Sequence, residues 1–418
     1  MEKRECIAMI LADGRGTRLG TLTGCSVKSA IVYGGSHRII DFTLSNCGHS
    51  GIDVLGVLTQ RLNGGLDSYI GDGRMWNLSR TFMLPSPKGE RNYQDPVDAI
   101  YRNIGFIERF SPKYVCVLSG DHIYKMNYAE MLGAHKRNGA DATIAVVEAP
   151  FWEARRHEDV DVDADGKIVN FGGNLLKVRA KKHLVSMGVH IFNWSALRRH
   201  LVTAVNEQRE VQKDFGKAVI PAMLCAGERL YAHRFEGYWR DAETVESLWE
   251  SNMDLLNDPP KFVLDEKNTE VFPSLRSQRI NRSILSGLHV VLGRVERSIL
   301  SDSVVVEEGA EVIDSVLMPN VYVGKNTKIR KAVIGPNVKI MNNVEIGAHG
   351  GISSFISERI CTNGVSLVAP GTYIAEKQKF QKNSHIENRF FGNNCDFHTV
   401  CLDRRYRTDV PPGLLTTA

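Results

Sequence analysis

A glycine-containing loop, Ala12-Asp13-Gly14-Arg15-Gly16-Thr17-Arg18-Leu19, follows the short apolar run Cys6–Leu11. Such a loop after a strand exposes backbone N–H groups, and two arginines within it can pair with phosphate oxygens. The spacing is neither a Walker A loop nor GxGxxG. Taken alone it reads equally as an ordinary turn with solvated arginines. Lys28 follows, then Arg38-Ile39-Ile40-Asp41-Phe42-Thr43-Leu44-Ser45-Asn46. Further on come Leu118-Ser119-Gly120-Asp121-His122-Ile123-Tyr124-Lys125, Ser186-Met187-Gly188, Asp214-Phe215-Gly216-Lys217 and Tyr238-Trp239-Arg240-Asp241. The histidines have no HExxH-type spacing, so structural zinc is not expected. The eight cysteines form no CxxC pair and are too sparse for a disulfide scaffold.

These segments need a scaffold that brings them together. Ile7–Ala12, Val54–Gln60, Tyr114–Ser119 and Ala142–Val147 read as buried strands, and Val97–Phe110 and Tyr128–Asn138 as amphipathic helices. Buried strands alternating with helices predict a mainly parallel sheet covered on both faces. Ligands then sit at the carboxyl ends of strands, in the loops after Leu11, Gln60 and Leu118. The breaker cluster Asn257-Asp258-Pro259-Pro260 closes this region at residue 258, and 259–281 reads as a linker. From 282 to 375 the pattern changes. Val321, Val323, Thr327, Ile329, Val333, Val338, Ile340, Val344 and Ile346 advance in steps of six with one slip, the period of a parallel β-helix. Residues 376–418 read as a polar, mildly basic tail, in which Arg404-Arg405-Tyr406-Arg407 is a solvated or oligomer-contacting cluster.

Composition narrows the classes. Hydrophobic residues make up 43% and charged residues 24%, globular values. No apolar run approaches a membrane span, and Met1–Leu11 carries no signal-peptide core. A net charge of +4, evenly spread, gives no footprint for nucleic acid. The expectation is a cytoplasmic, reduced protein with no membrane or nucleic-acid partner.

The ordered motif set resembles the ADP-glucose pyrophosphorylases (glucose-1-phosphate adenylyltransferases) over roughly residues 5–350. RIIDFTLSN, SGDHIYK and the DFGK/YWRD pair are specific in combination. The resemblance implies a nucleotidyltransferase-type, dinucleotide-binding-like α/β domain followed by a left-handed β-helix. It also implies a tetramer, an allosteric effector, and a role in glycogen or starch-like glucan synthesis. The implied reaction is ATP plus glucose 1-phosphate giving ADP-glucose and pyrophosphate, by in-line attack on the α-phosphorus. Asp121 and Asp241 are then the carboxylates that hold Mg²⁺. Arg15, Arg18, Lys28 and Asp121 form the implied catalytic group, in which the three cations match the family's triphosphate and pyrophosphate contacts. Gly14, Gly16, Thr17, Gln60, Asp98 and Gly120 fall on the nucleotide side, and Tyr93, Ser186, Gly188, Asp214 and Lys217 on the substrate side.

Several positions depart from the family pattern. LAGG becomes Leu11-Ala12-Asp13-Gly14, and AKPAV becomes Val27-Lys28-Ser29-Ala30-Ile31. WYxGTADA becomes Asn92 to Ala99, with Asp95 and Pro96 in place of glycine and threonine. FxEKP becomes Phe171-Gly172-Gly173-Asn174-Leu175, without the glutamate that the resemblance places on the glucose hydroxyls and the lysine it places on the sugar phosphate. The FG before Val or Ile aligns with His157-Glu158, and DxGT with Asp241-Ala242-Glu243-Thr244. Losing a charged contact to a buried phosphate costs roughly 2–5 kcal/mol. Three readings follow: a catalytically weak, regulatory subunit that pairs with an active paralogue, a fully active enzyme, or a nucleotidyltransferase for another sugar phosphate. In the first, ATP or ADP-glucose binds and glucose 1-phosphate binds weakly.

Overall fold

A computed structural model of the 418-residue chain describes residues 4–12, 14, 16–24, 26–59, 65–86, 93–172, 182–206, 214–264, 269–272, 279–348, 364–382 and 384–386. The chain divides into two compact units. One comprises Met1–Tyr33 and His37–Leu264, the other Gly34–Ser36 and Asp265–Ala418.

In the first unit the strands of the main sheet and of the ribbon beside it are β1 (Cys6–Ala12), β2 (Val54–Thr59), β3 (Arg80–Pro85), β4 (Tyr114–Ser119), β5 (His122–Tyr124), β6 (Ala142–Pro150), β7 (Lys182–Asn193), β8 (Leu230–Arg234) and β9 (Trp239–Asp241). The main sheet runs β8-β6-β7-β4-β1-β2-β3. β1 pairs in parallel with both β2 and β4, whereas β7 is antiparallel to both β4 and β6. Ile7 and Met9 of β1 pack into one face, and Ala8 and Ile10 into the other. Both faces are therefore dry, which is why these strands read as unbroken apolar runs rather than alternating ones. Each fully buried Ile or Met here contributes about 1.5–3 kcal/mol. Helices α1 (Ile40–His49) and α3 (Tyr128–Arg137) cover the second face through Ile40, Leu44, Tyr128 and Met131. Helices α2 (Pro96–Arg102) and α4 (Trp194–Asn206) cover the first through Val97, Ile100, Leu197 and Leu201. Helix α5 (Val245–Asp254) opens with a reciprocal cap between Thr244 and Ser247.

The single helix expected over Val97–Phe110 is broken. α2 stops at Arg102, and a separate short helix occupies Ile104–Glu108. Asn103 explains the break: its side-chain amide donates to the Ala99 carbonyl at 2.8 Å, competing with the helical backbone for that acceptor.

The second unit is a parallel β-helix built of three sheets. Val295, Val312, Ile329 and Ile346 stack in register on one inner wall, and Leu300, Leu317, Ile334 and Val368 on another. The three-sheet coil and six-residue step are consistent with the left-handed winding expected. Asn320, Asn326, Asn337 and Asn343 take corners at positive φ, where asparagine is tolerated, and Asn320 donates to Asn337 at 3.0 Å. Two boundaries shift from expectation. Thr269–Phe272, in the presumed linker, pairs with Ser283–Ser286, and rung strands continue at Lys379–Gln381 and His385–Ile386, inside the presumed tail. The tail's arginine cluster lies outside the described residues.

Candidate active site

The carboxyl ends of β1 and β4 lie side by side, since Leu11 faces Ser119 across the parallel ladder. The Gly120 N–H donates to the Leu11 carbonyl at 2.9 Å and locks the two loops together. After β1 the chain turns through Gly16, at φ 56. A Cβ there would lie 2.8 Å from Thr23 Cγ2 and 3.4 Å from Lys28 Cβ, so glycine is required on both conformational and steric grounds. Thr17 and Arg18 open the following 3₁₀ turn and are exposed. The Lys28 N–H donates to the Gly14 carbonyl at 3.3 Å, which folds the lysine back under the loop.

Asp121 and Asp241 are distant in sequence but joined by a two-stranded ribbon. β9 pairs antiparallel with β5, and Asp241 stands opposite His122. Both carboxylates converge on Lys28, with its Nζ 3.1 Å from Asp121 Oδ2 and 2.5 Å from Asp241 Oδ1. The lysine is almost wholly buried, at 3% exposure. Burial alone would depress its ammonium, but Asp121 and Asp241 together outweigh that and hold it above the ordinary lysine value. Burial would likewise raise the Asp121 carboxyl. Lys28, His122 and the Ser119 hydroxyl instead keep it well below the usual carboxylate range.

His122 belongs to this group as well. Its Nδ1 donates to the Met187 carbonyl at 2.9 Å, so the proton sits on Nδ1 and Nε2 faces the carboxylates, 3.6 Å from Asp121 and 3.8 Å from Asp241. Its ring meets Trp239 edge-on at 5.3 Å, and His157 meets the same indole at 4.9 Å. Burial pulls the His157 pKa down to about 4. Only the two motifs' proximity in space, not any sequence spacing, could have revealed this aromatic corner.

Arg18, expected on the triphosphate, is ion-paired with Glu243. Burial first, then the neighbouring Asp241, raises the Glu243 carboxyl. On the substrate side, Gly188 takes φ 67 at the irregularity of β7 between Ser186 and His190. A Cβ there would lie 3.2 Å from Ser119 Cβ and 3.4 Å from His122 Cε1, so Gly188 abuts the carboxylate group directly. The Ser186 hydroxyl accepts from the Gly188 N–H at 3.3 Å. Asp214 caps the short turn Phe215–Val219 by accepting from the Lys217 N–H at 2.7 Å, and the Lys217 ammonium lies 3.2 Å from the same carboxylate.

Two expected contacts are engaged elsewhere. Asp98 sits in the first turn of α2, where it accepts from the Gln94 N–H at 3.1 Å and Arg102 Nε at 2.6 Å. Tyr93 is buried, and its hydroxyl points at the Leu84 and Pro85 carbonyls at the end of β3. Asp95 and Pro96 serve as N-cap and first helical residue of α2. Arg15 and Gln60, like Asp13, Gly173 and Asn174, lie outside the described residues.

Among the described residues no group of three or more His, Cys, Asp and Glu is arranged to hold a metal ion, and no helix is long and apolar enough to cross a membrane. Two hard carboxylates already facing one cation nevertheless fit Mg²⁺, which is usually held by one or two carboxylates plus substrate phosphates rather than by a protein cage.

Residues 7–258 match the nucleotidyl transferase family, and residues 258–368 match the GlmU-like C-terminal hexapeptide family. A glucose-1-phosphate adenylyltransferase from Acetivibrio thermocellus is 39% identical over 403 residues, covering 93% of this chain and 94% of its own. Those from Desulforamulus reducens and Clostridium acetobutylicum are 43% and 46% identical over 334 and 322 residues. They cover 76% and 73% of this chain, and 83% and 84% of their own. With both domains matched in order and the Lys28–Asp121–Asp241 group in place, the chain belongs to the glucose-1-phosphate adenylyltransferase family of nucleotidyl transferases.

Proposed function

We propose that this chain is a catalytically weak, regulatory subunit of glucan-precursor synthesis. It binds ATP or ADP-glucose, takes glucose 1-phosphate poorly, and assembles with an active paralogue. One observation carries the reading. Glu243, where the family pattern has glycine, supplies an internal carboxylate to Arg18, the cation expected on the triphosphate. A phosphate must displace that carboxylate before it can use Arg18, which weakens the contact in both ground and transition states.

The rest of the nucleotide side supports binding. Asp121 and Asp241 would hold Mg²⁺, whose positive charge offsets that of the phosphates. Lys28 keeps its proton across the physiological range and stays poised beside the phosphate loop. His122, fixed by Met187, keeps Nε2 on the carboxylates. The β-helix supports assembly, since Leu288, Val290 and Leu292 stand exposed along its first rung, at 81%, 50% and 45%. A tetramer with the paralogue, responding to an effector, is the arrangement this favours.

Pyrophosphate release from ATP and glucose 1-phosphate tests the reading. The chain alone should turn over far below the roughly 10 per second of a typical enzyme, while calorimetry detects Mg²⁺-dependent ATP or ADP-glucose binding. Adding the active paralogue should change that partner's rate or effector response. A typical rate from the chain alone would replace this reading with that of a fully active adenylyltransferase. Turnover of a different sugar phosphate would replace it with a repurposed pocket.

A further inference from the structure

Glu158 lies among three segments expected to meet the sugar phosphate. Its Cγ, Cδ and Oε1 crowd Gly216 of Asp214–Lys217, where an added Cβ would sit 2.8, 3.1 and 3.1 Å from them. Gly172, at the start of the segment replacing FxEKP, abuts the same backbone, with its Cβ position 3.5 Å from the Gly216 carbonyl. The Glu158 carbonyl accepts from the Ser186 N–H at 2.9 Å, and the next residue, Asp159, accepts from the Gly172 N–H at 2.9 Å. The backbone of Glu158 is therefore fixed between the Ser186–Gly188 and Phe171-Gly172 segments, with its side chain against the third.

Among the described residues this half-buried carboxyl forms no ion pair. Burial is the largest influence and raises it, and Asp214 adds to the rise. Its own backbone N–H opposes it, as do Lys217 and His122, but the Lys217 ammonium is already engaged by Asp214. The aligned position in the family pattern is the glycine of FG, which leaves this space open.

We propose that Glu158 is a specificity-determining residue whose carboxylate occupies the sugar-phosphate subsite and excludes anionic sugar phosphates. The proposal rests on the reading of weak glucose 1-phosphate use and names the residue that causes it. It is separate from the loss of the glutamate and lysine of FxEKP. Missing groups remove attraction, whereas Glu158 adds repulsion and fills volume.

Calorimetry on the full-length chain tests it, using glucose 1-phosphate, inorganic phosphate and uncharged glucose as separate probes. Glu158→Gln keeps the shape and removes the charge, and Glu158→Gly removes both. Binding of ATP with Mg²⁺, measured in parallel, reports folding of each variant. Glu158→Gln should tighten glucose 1-phosphate and inorganic phosphate by roughly tenfold or more and leave glucose unchanged. Glu158→Gly should tighten glucose 1-phosphate further. If Glu158→Gln fails to fold, the glycine variant, which restores the family residue, decides. Variants that bind ATP normally but hold both anions as weakly as wild type would overturn the proposal and leave the weak-subunit reading standing. Wild type binding glucose 1-phosphate near micromolar would remove that reading and the proposal with it.

Discussion

The nucleotide half and the sugar-phosphate half of the site handle charge in opposite ways. In the first, a buried lysine lies between two carboxylates from distant segments, and the three charges hold each other in place. In the second, the carboxylate of Glu158 packs against glycine backbone, and the Lys217 ammonium is committed to Asp214. The first arrangement needs no ligand to be satisfied, yet leaves two hard oxygens ready for a cation. The second, if it takes the sugar phosphate as proposed, sets an incoming anion against another anion. A fold can keep the former unchanged because it also supports stability, whereas the latter contributes little to folding and is free to change.

The largest expected effect breaks the first half. Lys28→Met leaves Asp121 and Asp241 facing each other without a cation. It should cost about 3 kcal/mol in chemical denaturation and abolish measurable ATP binding. A loss below about 1 kcal/mol would mean that the carboxylates relax into solvent and that the lysine does not hold the group together.

A second, smaller effect reads the aromatic corner between the halves. The His157 pKa is depressed to about 4 by burial, below the ordinary value of about 6.5. The fold thus prefers the neutral ring. That stability is fully present above pH 6.5 and is lost as pH falls from there through 4. His157→Phe, the family residue, should flatten this acid limb by on the order of 1–2 kcal/mol in urea midpoints taken between pH 7 and 4.5. An unchanged slope would assign the limb to other groups, such as the buried His190, whose pKa is depressed likewise.

The sequence made the scaffold legible where physics repeats. The unbroken apolar runs of β1, β2 and β4 follow from burial on both faces, and the inward Val and Ile of each β-helix rung follow from stacking. It failed where one side chain overrides a pattern, as Asn103 does in splitting the expected helix. The Lys28–Asp121–Asp241 group was visible only as motifs, because the antiparallel ribbon of β5 and β9 that unites the two aspartates spans residues 122–241. The Arg18–Glu243 and Glu158–Gly216 contacts were not visible at all. The substitutions could be read as losses of glycine, but where the new carboxylates point is a tertiary fact. Asp98 and Tyr93 were matched by motif, yet their polar atoms serve α2 and β3.

Freeing Arg18 sharpens the comparison from the nucleotide side. An exposed arginine paired with a partly buried glutamate is worth about 0.2–1 kcal/mol. Glu243→Gly should therefore tighten Mg²⁺-dependent ATP binding by only a few-fold, and high salt should erase most of the difference. Weaker ATP binding would mean that Glu243 positions Arg18 for the nucleotide rather than competing for it.

The smallest effect concerns Asp95. As N-cap of α2 it accepts from the Asp98 N–H at 2.8 Å, with Pro96 preset at the first helical position. Against the family pattern this reads as damage to a nucleotide loop, but locally it is a well-formed helix start. Replacing an aspartate cap by glycine costs only a few tenths of a kcal/mol, so Asp95→Gly with Pro96→Thr should barely move the thermal midpoint. If the loop approaches the nucleotide, the same pair of changes should tighten ATP binding measurably while stability stays flat. If affinity and stability both stay flat, the α2 start is a capping device alone. The site's remaining departures are then Asp13, Ser29, His157, Glu158, Glu243 and the missing glutamate and lysine.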